Sequence, residues 1–352
     1  MRRILLILPV ALLTAGVSLR ADGLLFGLFE GYLESLRKQA GIPGLAAAIV
    51  GEDGILWERG FGLQDIERSI ATRPDTPFHL DGLTQVFTSA LVLRCVEDGR
   101  LSLDDRIGSF DRGNPEADAT VRQLLTHTSI GPAGLVFNYN PDRLAPLSAV
   151  VPTCIDDDSF RETIANTLDR FAMRDSVPGA DSVALPPPLD DYFDRRTIDR
   201  YAGVLERLAT PYAVDKKGRA TKSSYATTDL NAASGLISTA RDLAQFDLAL
   251  RKSVLLRGDT LAAAWRNPTS GTGLTLPHGI GWFVQVHNGE LVAWQFGVAE
   301  NASSSLLIKV PGRGLTLILL ANSDRLAVPL PLAAGDVNAS PMGRLFLRLF
   351  VS

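Results

Sequence analysis

The segment at residues 77–101, PFHLDGLTQVFTSALVLRCVEDGRL, constrains the fold more than any other part of the chain. Its middle, residues 86–96, is apolar on nearly every face, and a helix of that kind is normally buried between other layers of a protein. Asp81 is expected to cap the N-terminus of this helix, and Gly99 is expected to close its C-terminus. The helix start would then face out of the core, where unpaired N–H groups favour chemistry on a carbonyl or an anion.

Short apolar runs beside turn residues predict strands at both ends of the chain. Residues 45–50 and 55–61 flank a Gly-Glu-Asp-Gly turn and predict a β-hairpin. The C-terminal third predicts four more antiparallel strands, and the first two of these flank the hairpin signal Asn288-Gly289. Neither group makes a convincing sheet by itself, so we expect one joined antiparallel sheet.

Helical spacing of apolar residues predicts further helices outside the strand regions. They are expected at residues 24–39, at residues 159–171, after an N-cap at Thr239, and at residues 341–351. Pro186-Pro187-Pro188 and the polar run at residues 216–219 predict exposed connecting segments.

Six sequence runs are individually weak signals but are jointly specific. They are IPG, the buried helix, LLTHTS, SGLISTARDLAQF, GIGW and VPGRGLTLILLANSD, spread over about residues 42–324. In these runs the chain resembles the serine β-lactamase and penicillin-binding-protein family, in its class C-like form. The resemblance implies an α+β fold of the β-lactamase/transpeptidase type, with an antiparallel sheet flanked by helices and an inserted, mainly helical lobe. We assign the sheet lobe to about residues 22–74 and 267–352, and the helical lobe to about residues 75–266.

The first catalytic motif of that family, Ser-x-x-Lys, falls at the start of the buried helix. In the family the serine is acylated, and the lysine one turn later manages the proton. Here the serine position is Gly82 and the lysine position is Gln85. A glycine has no nucleophile, and a neutral amide is no base near pH 7. The resemblance therefore covers the six sequence runs that imply the fold, but it does not include these two catalytic groups.

The second and third family motifs are also altered. The Tyr-x-Asn motif matches Phe137-Asn138-Tyr139-Asn140-Pro141, which retains Tyr139 but has Pro141 at the asparagine position. The Lys/His-Thr/Ser-Gly motif matches Gln295-Phe296-Gly297, which retains only the glycine. The resemblance still implies a ligand-binding cleft, and its candidate lining residues here are Tyr139, Asn140, Gln295, Phe296, Gly297 and Val298.

Other catalytic or metal-binding patterns are missing from the sequence. His127, in LLTHTS, is expected to be structural, because no Asp or Ser partner can be placed beside it. The Ser-x-x-Lys at residues 35–38 is expected to be a chance match on a solvated helix face. The chain shows no His/Cys cluster at metal-ligand spacing and no phosphate-binding loop, so we expect no metal and no cofactor.

The N-terminus and the composition suggest where the protein acts. Residues 1–21 combine basic residues, an apolar run at residues 4–19 and Ala21, which predicts a secretory signal peptide and an exported protein, periplasmic or secreted. An uncleaved membrane anchor is the alternative. The formal net charge of −4 would become −7 without the three arginines of this segment, so nucleic acid is not an expected partner. Export would permit a disulfide between Cys95 and Cys154, but Cys95 falls in the buried helix, so we expect the two thiols to be unpaired.

Three functions remain open from the sequence. The first is a pseudoenzyme that has lost acyl-serine chemistry and binds a peptide-like or acyl ligand in the old cleft. The second is a working hydrolase of the β-lactamase, esterase or D-Ala-peptidase type that uses another nucleophile, for which Tyr139 and Gln295 are the first residues to test. The third is an interaction scaffold that binds a partner through its polar middle segments. The sequence does not specify an oligomeric state.

Overall fold

The computed structural model of the 352-residue chain describes residues 10–129, 136–155, 159–184, 193–226 and 229–351, and for residues 10–22 and 129 it describes the backbone alone. The first residues of the predicted signal peptide and Pro186-Pro187-Pro188 lie outside these ranges. The α-helices of the described residues are α1 Val10–Ala40, α2 Gln85–Glu97, α3 Val121–Leu125, α4 Leu147–Ile155, α5 Phe160–Arg170, α6 Arg195–Leu205, α7 Ala240–Arg251, α8 Gly258–Ala264 and α9 Pro341–Phe350. Their strands are β1 Gly44–Val50, β2 Ile55–Asp65, β3 Ile70–Ala71, β4 Phe78–His79, β5 Thr128–Ser129, β6 Val136–Phe137, β7 Tyr212–Val214, β8 Ala220–Lys222, β9 Ile237–Ser238, β10 Phe283–His287, β11 Glu290–Ala299, β12 Ser303–Val310 and β13 Leu315–Ala321.

The main sheet joins the two ends of the chain, as predicted. Seven strands pair in the order β10-β11-β12-β13-β1-β2-β3, all antiparallel, and Leu45 of β1 stands opposite Ala321 of β13. The predicted hairpin turn between β10 and β11 is present, with positive φ angles of 48° at Asn288 and 82° at Gly289. Such angles suit asparagine and glycine, and they match the twist of the paired strands.

The central strand β1 is buried on both faces. Ala46, Ala48 and Val50 belong to the core cluster that contains residues of α2 and α7. Leu45 and Ile49 belong to the opposite cluster, which contains residues of α1 and α9. Because neighbouring side chains of a strand point to opposite faces, this division places the sheet between two helical layers.

Helix α2 is the buried central helix that the sequence predicts, but its N-terminus is built differently. Gly99, with a φ of 70°, closes the C-terminal end as expected. The N-cap position is Thr84, and no side chain caps it. The cap predicted at Asp81 is wrong: this residue lies in a 3₁₀ turn (Asp81–Thr84), and its carboxylate accepts a hydrogen bond from Ser303 Oγ at 2.5 Å instead.

The two cysteines are paired, which corrects the expectation of free thiols. Cys95 of α2 and Cys154 of α4 form a disulfide, with their Cα atoms 5.7 Å apart. Residues of both helices belong to one core cluster, so two buried cysteines far apart in sequence meet across it. Burial of each thiol was therefore no argument against pairing.

The remaining helix predictions are confirmed within one or two residues, except at the N-terminus. Ser159 and Thr239 cap α5 and α7, as their hydroxyls accept from backbone N–H groups at 3.1 and 3.0 Å. Helix α1 is longer than the predicted residues 24–39, because it already begins at Val10. None of the described helices combines the length and apolarity needed to cross a membrane.

Candidate functional site

The three altered motifs meet in space beside the start of α2. Gln85 Nε2 donates a hydrogen bond to the Tyr139 hydroxyl at 3.3 Å, and that hydroxyl donates to Gln295 Oε1 at 3.1 Å. Both glutamine side chains are fully buried, whereas Tyr139 is partly exposed. Residues from α2, the segment after β6 and strand β11 therefore share one polar site, although 156 positions separate Tyr139 from Gln295.

A buried histidine extends this series at the Gln85 end. His127 Nε2 lies 2.9 Å from Gln85 Oε1, which can only accept, so the histidine carries its proton on Nε2 and donates. In the neutral ring Nδ1 then accepts from the backbone N–H of Asn140 at 3.3 Å, and it also lies 3.0 Å from the backbone oxygen of Asn140. Burial lowers the pKa of His127 well below its usual value, and the nearby His278 and Arg143 lower it further. The ring is therefore neutral near pH 7.

A second buried histidine ends the series at Gln295. Gln295 Nε2 lies 3.1 Å from His278 Nε2 and donates to it, because an amide nitrogen cannot accept. His278 carries its proton on Nδ1 and donates to the backbone oxygen of Gly279 at 2.8 Å. Burial lowers the pKa of His278 to about 3. No sequence motif predicts a role for His278, and its one signal is its position directly before the GIGW run.

The polar series, defined as His127, Gln85, Tyr139, Gln295 and His278, contains no charged group near pH 7. Burial raises the pKa of the Tyr139 phenol above its ordinary value, with the hydrogen bond from Gln85 opposing that rise weakly. Each side chain in the series donates to its neighbour or accepts from it. A buried network satisfied in this way stabilises the fold. It has no cation, and the lone pair of each neutral histidine already faces an N–H donor, so neither ring is free to activate a hydroxyl.

Gly82, at the nucleophile position, lies against strand β11. A Cβ added to Gly82 would lie 3.2 Å from the backbone oxygen of Phe296 and 3.3 Å from Gln85 Nε2. At Gly297 a Cβ would lie 2.0 Å from the backbone oxygen of Leu80, so only glycine fits there. The strand and the 3₁₀ turn are therefore packed backbone to backbone. This close packing explains why the third motif retains glycine at Gly297.

The other cleft residues predicted from the sequence have local partners. The Asn140 side chain accepts from the backbone N–H of Asp142 at 3.1 Å and caps a 3₁₀ turn (Pro141–Leu144), so it does not replace the missing family asparagine. Phe296 is buried, and its ring centroid lies 5.2 Å from that of Tyr139. Val298 is partly buried against the same core cluster. The rim of the site thus consists of Tyr139 and its neighbours.

A second polar cluster lies on the other side of the 3₁₀ turn. Burial raises the pKa of Asp81 to about 7, against the opposing effect of the hydrogen bond from Ser303. The His79 ring lies 3.9 Å from the Tyr225 ring, and burial lowers the pKa of His79 to about 4. Asp81 has a φ of 49° and His127 a φ of 51°, a conformation that is rare for non-glycine residues and tends to occur at functional sites.

No group of three or more His, Cys, Asp or Glu residues in the described part of the chain could hold a metal ion. The histidines and Asp81 are the fully buried ionisable residues of the two clusters, and they contact neutral hydrogen-bonding groups or an aromatic ring.

Comparison with known proteins agrees with this fold. A family model described as Beta-lactamase matches residues 29–167 and 169–337. Penicillin-binding protein 4 of Amycolatopsis lactamdurans is 35% identical over 102 residues, which are 27% of this chain and 26% of that protein. Protein flp of Staphylococcus aureus is 28% identical over 94 residues, or 25% of this chain, and the match spans only 19% of that relative's length.

Solved structures show the same fold at low sequence identity. The octameric penicillin-binding protein homologue from Pyrococcus abyssi superposes with a TM-score of 0.71 at 18% identity, covering 92% of this chain and 77% of that one. The D-alanine carboxypeptidase AmpC from Burkholderia cenocepacia gives 0.68 at 17% identity, covering 91% and 98%. The class C β-lactamase from Rhodobacter sphaeroides gives 0.66 at 16% identity, covering 92% and 98%.

Proposed function

The chain belongs to the Beta-lactamase family, and from that premise we propose that it is a non-catalytic member that has lost acyl-serine chemistry. One observation carries the proposal: neutral amides fill the sites of the base and the cation, and glycine fills the site of the nucleophile. Gln85 and Gln295 are fully buried and are bound to each other through the Tyr139 hydroxyl, so neither amide is presented to a substrate carbonyl. Covalent catalysis needs an activated nucleophile, and this site supplies none.

Tyr139 does not replace the missing groups. A phenol acts as a base only when a cationic neighbour lowers its pKa, whereas burial raises the pKa of Tyr139 and its hydrogen-bond partners are neutral amides. A working hydrolase on this scaffold would therefore require a nucleophile elsewhere. The fold alone does not imply activity, because chemistry depends on the site.

A bound ligand at the rim is the second candidate function. Asn138 and Asn140, the sequence neighbours of the partly exposed Tyr139, are both exposed. Amides beside an aromatic ring suit a peptide-like or acyl ligand, which offers both hydrogen-bonding groups and apolar surface. Such a ligand would lie on the outside of the polar series and would leave it intact.

Covalent labelling tests the loss of chemistry directly. The protein is incubated with a penicillin or with a fluorophosphonate, and its intact mass is measured. We expect no adduct with either reagent. A stoichiometric adduct would refute the proposal, and peptide mapping would then identify the nucleophile.

Thermal shift tests ligand binding at the rim, with the same penicillin and with an acyl-D-alanyl-D-alanine peptide as ligands. A raised melting temperature without a covalent adduct supports binding.

Restoring the Ser-x-x-Lys motif tests whether the geometry of the cleft still permits acylation of a serine at position 82. The double substitution Gly82→Ser with Gln85→Lys needs a shift of only a few tenths of an ångström at Phe296, because the nearest contact of the new Cβ is 3.2 Å. We expect slow acylation by penicillin in this variant. Gly82→Ala with Gln85→Lys is the matched control, since it has the same bulk and charge without the hydroxyl.

Export to the periplasm or the medium is also proposed. The predicted leader at residues 1–21 motivates it, and the disulfide between Cys95 and Cys154 supports it, because disulfides persist mainly in oxidising compartments. Cell fractionation of a tagged chain, with the N-terminus of the mature protein sequenced, tests both export and cleavage.

A further inference from the structure

One face of α1 is exposed to water but carries no charge. Leu24, Leu28 and Tyr32 lie one helical turn apart and are 67%, 46% and 58% exposed. Glu30 and Glu34 lie on another flank of the helix, where each forms a salt bridge with an arginine. A surface helix normally presents its polar residues to solvent, so the packing of this protein does not explain the apolar stripe.

A groove between α1 and α9 lies next to this stripe. Its volume is about 380 Å³, and Tyr32 forms part of its wall. Leu36, Pro341 and Leu345 also line it. The stripe and the groove together form one mostly apolar surface, which we call the α1–α9 face.

Two arginines border the α1–α9 face. Arg344 and Arg348 are exposed, lie one turn apart on α9 and line the groove. Within the described part of the chain neither guanidinium forms a salt bridge. The protein as a whole has a formal net charge of −4, so this is a local positive site on an acidic molecule.

We propose that the α1–α9 face docks on the surface of an anionic phospholipid bilayer. The stripe and the groove would enter the boundary between headgroups and acyl chains, and Arg344 and Arg348 would bind lipid phosphates. Tyr32 has the amphipathic ring that is enriched at this depth. The proposal does not depend on whether the protein is catalytic.

The charge at the border of the α1–α9 face supports an anionic bilayer over other occupants, because Arg344 and Arg348 complement lipid phosphates beside an apolar surface. The stripe itself follows Ala21, so it remains after cleavage of the predicted leader. A second copy of the chain is a poorer occupant, because a symmetric contact would bring the arginines of both copies together without acidic partners.

Vesicle co-sedimentation of the full chain tests the proposal. Vesicles of phosphatidylcholine alone are compared with vesicles that also contain phosphatidylglycerol, at low and at high salt. We expect binding to the anionic vesicles, weakened by salt, because exposed charges are screened. Arg344→Gln with Arg348→Gln should weaken it about 25-fold, since each arginine near a membrane surface contributes about a fivefold change. Leu24→Ser with Leu28→Ser should also weaken it.

Matched controls separate the α1–α9 face from general surface effects. Leu274 is 68% exposed and lies far from α1 in sequence, so Leu274→Ser matches the change at Leu24. Arg112→Gln with Arg196→Gln removes two exposed arginines elsewhere. Equal vesicle binding by the face variants and these controls would overturn the proposal, as would no binding by the parent chain. A dimer in sedimentation equilibrium that Leu24→Ser abolishes would overturn it in favour of self-association.

Discussion

Lys309 of β12 and Asp247 of α7 form an ion pair that is almost fully buried, with side chains 3% and 1% exposed. Asp247 also accepts hydrogen bonds from Thr316 at 2.8 Å and from Arg251 at 3.0 Å. Burial lowers the pKa of Lys309, and the attraction of Asp247 opposes that shift. The pair links α7 to strand β12 of the main sheet, on the face where α7 and α2 share one hydrophobic core cluster.

Removing one partner of this pair should destabilise the protein strongly. Asp247→Ala leaves the Lys309 ammonium buried and unpaired, and we expect a loss of about 3 to 5 kcal/mol in the free energy of unfolding. Urea unfolding measures this loss. The double variant Asp247→Ala with Lys309→Met should lose less than the sum of the two single variants. Additive losses would show that the two side chains do not stabilise each other.

Gln85 should matter for stability rather than for turnover. Gln85→Leu keeps the approximate volume but leaves the His127 N–H without its acceptor and removes the donor to Tyr139, so we expect a loss of about 1 to 3 kcal/mol. Gln39→Leu, at an exposed position of α1, is the control and should change little. Unchanged unfolding of the Gln85 variant would contradict the structural role of the polar series.

The buried histidines predict loss of stability in mild acid. Burial lowers the pKa values of His79 to about 4 and of His278 to about 3, and that of His127 well below 6.5. As pH falls below about 6.5, these histidines become protonated in the unfolded chain but stay neutral in the folded protein. Until the pH reaches its folded-state pKa, each histidine therefore lowers the free energy of unfolding by about 1.4 kcal/mol per pH unit. Two buried aspartates with raised pKa values, Asp81 and Asp242, act in the opposite direction and offset part of this loss.

The substitution His79→Phe isolates one of these histidines. It keeps an aromatic ring against Tyr225, to which the His79 ring is tilted by 39°, and removes an imidazole whose buried Nε2 has no hydrogen-bond partner among the described residues. Urea unfolding at about pH 5 and about pH 7 should show a smaller acid loss in the variant than in the parent. An identical pH dependence in the two proteins would show that His79 titrates alike in the folded and unfolded states.

Asp81 should give the opposite pH dependence. Its pKa of about 7 in the folded protein exceeds the ordinary 3.8, so it contributes most stability below about pH 4, and that contribution is lost as pH rises to about 7. Asp81→Asn removes the buried charge and should stabilise the protein above pH 7, by up to about 4 kcal/mol. Ser303→Ala should have the reverse effect, because it removes a hydrogen bond to the ionised carboxylate. Destabilisation by Asp81→Asn at high pH would contradict this account.

The disulfide predicts a redox-dependent stability. Cys95 and Cys154 are 59 residues apart in sequence, and closing a loop of that length stabilises a fold by about 4 kcal/mol in the chain-entropy model. Urea unfolding with and without a reductant measures the loss. The double variant Cys95→Ser with Cys154→Ser should match the reduced parent and should no longer respond to the reductant. A response in that variant would point to an effect outside this bond.

The sequence was most informative where the structure is local. The turn at Asn288-Gly289, the closure of α2 at Gly99, and the caps at Ser159 and Thr239 each depend on residues within a few positions, and all four are as predicted. Asp81 shows the limit of such rules. Its capping preference is real, but a hydroxyl on β12 competes for the same carboxylate, and that hydroxyl is 222 residues away.

By itself the sequence determined the local helices and turns, through periodicity and turn residues, and the kinds of chemical group at the positions of the family motifs, through residue identity. The fold class followed from its resemblance to a known family. Gly82 and Gln85 carry no nucleophile and no base in any conformation. Only the tertiary structure decided that Gln85, Tyr139 and Gln295 bind one another, that His278 ends their series, and that the cysteines pair. These contacts join residues far apart in the chain. The packing of the 3₁₀ turn before α2 against β11, and of α2 against α4, decides which of them meet, and sequence spacing does not.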